Sequence, residues 1–205
     1  MTACQRFLRV GRRPGEEALW PIQRDRVTTL VGAPDDDLAT LTCAIAISVK
    51  LGIEIVPGWV PERPAEVSLV AYEGSWAFWK GLVCDVCAVA GVVVLMLDFR
   101  FPDVPLVEDV QKRPSRPDRD AYWRPYWEAD KAAARAAGRN PDDPLFIVFG
   151  LDRAIGWGGD GSMAALNRYF SGISTLLVGE KTAFDEGNQL GGEPWAGNFG
   201  PVLRV

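Results

Sequence analysis

A chain of 205 residues, 48% hydrophobic and 24% charged, has ordinary globular composition and enough length to bury one sizeable core, so a single domain over 1–205 is expected. The formal charge of −5 and a pI near 4.9 argue against bulk attraction to nucleic acid or an anionic membrane, while leaving room for a local basic stripe. Histidine is absent, which removes Ser-His-Asp and Cys-His catalysis and leaves any hydrolytic chemistry to carboxylates.

The opening stretch "MTACQRFLRVGRRPGEE" has basic residues but no apolar run of signal-peptide length. No later segment supplies roughly 18 uncharged apolar residues. The expectation is a soluble, cytoplasmic protein with no membrane partner. Short apolar runs then alternate with helical patterns, the rhythm of an α/β protein with a mainly parallel sheet. The first strand is expected at 27–31 and runs into "LVGAPDDDLAT". The nearly all-apolar "LATLTCAIAISVKL" follows as a helix over 38–51, stopped by Gly52 and covered on most sides. A strand is expected at 67–71, a helix at 76–90 closed by Gly91, and a strand at 92–97.

Residues 101–127 break the rhythm. They are proline-rich and charged, without periodicity, and end in Tyr122-Trp123-Arg124-Pro125-Tyr126-Trp127, which predicts a long loop excursion from the sheet. Arg116, Arg119, Trp123, Arg124 and Trp127 could stack on and neutralise a single-stranded nucleic acid. The same tryptophans could instead pin the loop to the domain or to a partner, since Asp118, Asp120, Glu128 and Asp130 dilute the field. A helix at 128–137 capped by Gly138, a strand at 145–149, a short helix at 163–170 and strands at 174–178 and 201–205 complete the pattern.

Four cysteines include one C-x-x-C, Cys84 to Cys87. A zinc site would need Cys4 and Cys43 to converge on that pair, which no spacing rule predicts, so buried helix cysteines and no metal site are expected.

The stretch "LVGAPDDDLAT" has the strand and leading glycine of a phosphate-binding loop, G-x-x-x-x-G-K-[ST]. Gly32 fills the first position. Asp37, Leu38 and Ala39 fall where the second glycine, the lysine and the magnesium-binding hydroxyl belong, and Thr40 stands one residue late. Backbone conformation, cationic charge and metal ligation are all lost. Asp35, Asp36 or Asp37 at the helix N-terminus can instead accept from the unpaired N–H groups, so the expectation is a cradle filled by its own carboxylate.

From about Leu19 to Val205 the chain resembles the RecA-like hexameric ATPases of the plasmid replicative helicase RepA group. "VTTLVGAPDDDLATLTCAIAISVKLG" is similar to that family's first strand, loop and helix, and "VSLVAYEGS" to its second unit, with Glu73 at the catalytic-carboxylate position. "VVVLMLDFRFPDV" resembles the third strand, and "PLFIVFGLDRAIGWGGDGSMAALNRYF" the metal-supporting strand, where Phe149 replaces the expected aspartate and Asp152 comes three residues late. "STLLVGEKTAFDEGNQLGGEPWAGNFGPVLRV" resembles the closing strand, its phosphate-sensing turn and final hairpin. Glu180 and Lys181 stand where the sensing histidines belong, and Thr182 is retained. The resemblance implies a RecA-like P-loop NTPase core, a twisted parallel sheet flanked by helices with a C-terminal antiparallel hairpin. It implies the framework without its chemistry: of the catalytic positions only Glu73 survives, and that acid has a structural reading too, as a partner for a neighbouring loop.

The expected function is therefore a catalytically inactive subunit or scaffold in a plasmid, phage or mobile-element assembly, related to DNA replication, with no cofactor. Its partners would be copies of itself or another protein, and exposed members of the eight tryptophans would mark the interface. Two rivals stand beside it. One is an ATP-dependent helicase-like ATPase using Mg-ATP through Thr40 with Lys50 or a partner's lysine; the other is a single-strand nucleic-acid-binding module built on the basic excursion.

Overall fold

The computed structural model describes residues 6–10, 19–23, 27–32, 37–95, 97–102, 128, 132, 135–136, 144–155, 170, 173–180 and 202–204. Its centre is a six-stranded sheet of β3 (Val27–Gly32), β5 (Val67–Ala71), β6 (Asp98–Arg100), β7 (Leu145–Phe149), β8 (Thr175–Glu180) and β9 (Val202–Arg204). They lie in the order β6-β5-β7-β8-β3-β9, and each neighbouring pair is parallel. Both faces of such a sheet are covered, so its strands read as unbroken buried runs. All residues of β3 and β5 are buried, and in β7 Leu145 through Val148 are.

Two helices cover one face and pack on each other: α1 (Leu38–Leu51) and α2 (Trp76–Ala90). α1 is buried continuously from Thr42 to Val49, as its nearly uniform apolarity requires. Asp37 caps its start and Gly52, in the left-handed region, ends it. Ser75 caps α2 by accepting from Phe78 N–H at 3.2 Å. Gly91 closes it in a Schellman motif: Gly91 N–H reaches Ala88 O and Val92 N–H reaches Cys87 O. Cys43 and Cys87 are buried in the helices and Cys84 is half-buried, all as free thiols. Burial, and secondarily Cys87, pushes the Cys43 thiol up to about 12. A short helix, α3 (Leu151–Ile155), leaves β7 and packs near β8.

Several expectations are corrected. The strand expected at 92–97 is instead β6, at Asp98–Arg100. The Schellman turn consumes Val92, and Val93 and Val94 are left exposed rather than laddered. Three strands were not anticipated: β1 (Arg6–Val10), β2 (Leu19–Gln23) and β4 (Trp59–Pro61) form a separate antiparallel sheet in the order β2-β1-β4. Ile22 of β2 joins the main core. The helix α3 was likewise unforeseen, and Phe170, placed at the end of an expected helix, lies in a turn. Residues 163–169 of that helix lie outside the described residues. Glu128, Ala132, Arg135 and Ala136 are helical, as the pattern at 128–137 predicts. The expected C-terminal antiparallel hairpin falls largely on 181–201, outside the described residues; Val202–Arg204 itself pairs in parallel with β3. Among the described residues no helix is long and apolar enough to cross a membrane.

Candidate functional site

Connections from the carboxyl ends of adjacent strands β5 and β7 diverge. The chain leaving β5 enters α2 and proceeds to β6 at one edge, whereas the chain leaving β7 enters α3 and proceeds to β8 in the other direction. Such a divergence opens a crevice at the carboxyl edge, the usual ligand position in open α/β sheets. Glu73 sits there, two residues beyond β5.

Its surroundings hold it in place. Tyr72 N–H donates to Phe149 O at 3.0 Å, tying the exit of β5 to that of β7. The buried Trp79 indole donates to Glu73 O at 2.9 Å and meets the Phe149 ring edge-on at 4.9 Å. Arg153 Nε on α3 lies 3.3 Å from Glu73 Oε1. Gly150 turns the chain between β7 and α3 with φ +77°, and a Cβ there would meet Glu73 Cγ at 2.8 Å, so the position requires glycine on both counts. The side chains of Arg153 and Glu73 are 71% and 35% exposed, so their ion pair contributes at most about 1 kcal/mol. Its importance is positional: the carboxylate faces a guanidinium of its own chain. Arg153 is the residue the sequence reading missed at this site; it lies 80 positions from Glu73, inside the stretch compared with the metal-supporting strand but given no role there.

At the carboxyl end of β3, Asp37 caps α1. Its Oδ1 accepts from Thr40 N–H at 2.9 Å and its Oδ2 from the Thr40 hydroxyl at 2.6 Å. The other degenerate positions are also engaged. Leu38, at the lysine position, is buried in the core, and Ala39 is half-buried against it. Phe149, at the metal-supporting position, packs on Trp79. Gly32 pairs in register with Glu180 at the end of β8, so the start of the loop and the first sensing position are neighbours. The side chains of Asp152 and Glu180, and Lys181 and Thr182 altogether, lie outside the described residues, as do Arg116, Arg119, Trp123, Arg124 and Trp127.

Two of the described positions lack the groups a magnesium nucleotide uses. The hydroxyl that could reach a metal donates to Asp37, and the lysine position is a core leucine. Lys50, offered by the sequence as a substitute, points elsewhere: its Nζ is 3.3 Å from Glu66 Oε2 in a pair with 11% and 8% side-chain exposure. Glu66 precedes β5, at the amino edge of the sheet, and α1 separates Lys50 from the loop by about 20 Å. Among the described residues no three His, Cys, Asp or Glu side chains gather as a metal site.

No protein-family model matches the chain. A search of curated proteins likewise gives no match.

Proposed function

We propose that the chain is a RecA-like domain without nucleotide chemistry, a non-catalytic subunit or scaffold that acts through protein contacts in a plasmid, phage or mobile-element assembly. One observation carries the reading: the Asp37 carboxylate takes the N–H group and hydroxyl of Thr40 at the start of α1, where a phosphate loop would present both to its ligand. Bringing a polyanionic nucleotide against that carboxylate, without the lysine, is electrostatically unfavourable.

The placement of the remaining motif positions supports the RecA-like part of the reading. β5, β7, β8 and β3, the strands that carry the carboxylate, metal, sensing and loop positions, are consecutive in the parallel sheet, so all four positions belong to one edge. Glu73 there pairs with Arg153 rather than standing free to orient a water. The test is phosphate release from Mg-ATP by the purified chain, with Glu73→Gln as the comparison. The reading expects identical, background rates; turnover that Glu73→Gln abolishes would overturn it.

A further inference from the structure

The stretch from Trp76 to Leu95, α2 and the segment after it, carries only two charged side chains, Lys80 and Asp85. Its inward side is Trp79, Val83, Val86 and Cys87. Its outward side is almost as apolar. Ala77, Gly81 and Ala88 are exposed, Trp76 and Phe78 are each 49% exposed, and Val89, Val93 and Val94 are 92%, 88% and 53% exposed. A groove lined by Trp76, Lys80, Cys84, Val94 and Leu95 continues this surface toward β6, the edge strand of the sheet. Nothing among the described residues covers it. Around α2, Phe78 and Val89 flank the row Ala77, Gly81 and Ala88 on the side of Asp85, and Trp76 flanks it on the side of Lys80 and the groove.

We propose that this face is an isologous self-association surface, occupied by the same face of a second copy. The charge distribution selects that occupant. The chain carries −5, so two copies repel through most approaches, whereas this face holds one cation and one anion and meets itself without that penalty. The spacing is also self-complementary. Lys80 and Asp85 lie about 140° apart around the helix, on opposite sides of the row Ala77, Gly81 and Ala88. A two-fold axis running along α2 sets each Lys80 beside the partner's Asp85, as flanking positions meet across a parallel coiled coil, with small residues between. The inference deepens the proposed assembly role, but it rests on this face and not on the state of the loop.

Light scattering on the full chain during gel filtration, from micromolar to hundreds of micromolar, tests it. The expected mass approaches twice 22.4 kDa as concentration rises. Ala88→Lys should return the single-chain mass with unchanged circular dichroism, because that side chain is exposed and lies in the row on the axis. Gly81→Glu is a second variant that the fold tolerates, since an added Cβ meets nothing within 4 Å; it should weaken association at least about tenfold. Lys80→Asp should weaken it too, and adding Asp85→Lys should restore it. A single-chain mass at every concentration, a dimer that survives Ala88→Lys, or failure of the charge swap to restore association would each overturn the proposal. No nucleotide enters these readouts, so their failure leaves the reading of the loop intact, while Mg-ATP binding would overturn that reading alone.

Discussion

Replacing Asp37 by alanine isolates the cap of α1. The substitution removes two hydrogen bonds to Thr40, from the backbone N–H at 2.9 Å and from the hydroxyl at 2.6 Å. The hydroxyl is solvent-accessible and regains a partner from water, so the backbone bond and the charge at the helix end dominate. N-cap truncation typically costs about 1 kcal/mol, within a range of roughly 0.5–2. For a chain of this size that lowers Tm by about 2–4 °C. Asp37→Asn retains an acceptor and should lose only the interaction of the charge with the helix end, about 0.3–1 kcal/mol, most of it removed by high salt. Urea titrations of the natural chain and both variants, at low and high salt, give the comparison. Equal stability of natural chain and alanine variant would refute the cap, and a salt-independent asparagine effect would refute its electrostatic part.

Other substitutions probe the frame around the site. Gly150→Ala forces a Cβ into the left-handed region and against Glu73, and should cost about 1–3 kcal/mol in the same titration; a loss below about 0.5 would show that neither contact matters. Lys50→Met leaves Glu66 facing a buried apolar side chain and should cost about 3 kcal/mol, most of it recovered by adding Glu66→Leu. A Lys50→Met variant of unchanged stability would contradict the structural assignment of that lysine. The Cys43 thiol, pushed up to about 12 chiefly by burial, stays protonated in the fold. Its contribution to stability is therefore full below about 9, where the unfolded thiol ionises, and falls as pH rises through 12. Alkylation of the native chain at pH 8 should modify Cys84 well before Cys43, and equal rates would contradict the burial.

The core of the fold was legible because burial on both faces writes itself into composition. "VTTLV", "VSLVA" and "LFIVF" read as strands without any alternation, and α1 ends where Gly52 says it should. β6 misled for the same reason inverted. The valines before it are more apolar than the strand, while β6 itself carries Asp98 and Arg100, charges that suit a sheet edge. Its register depends on Ser68 opposite Asp98, a long-range fact invisible to local pattern. The strands of the small antiparallel sheet are short, and their pairing of Leu8 with Ile22 and Pro61 is equally non-local. At the site, a capping aspartate was readable from helix-capping chemistry, though not which of Asp35, Asp36 and Asp37 it is, and Glu73 was readable from its position after a strand. Arg153 was not, because only the adjacency of β5 and β7 brings it to Glu73.

The central claim is that the loop is closed to nucleotide by its own side chains. The most direct measurement is the melting temperature of the purified chain with and without millimolar Mg-ATP, beside a variant carrying Asp37→Gly, Leu38→Lys and Ala39→Ser. A ligand present at about 100 times its Kd stabilises by roughly 2.7 kcal/mol, a shift of several degrees. The account predicts no shift for the natural chain. A nucleotide-dependent rise in its melting temperature would contradict it.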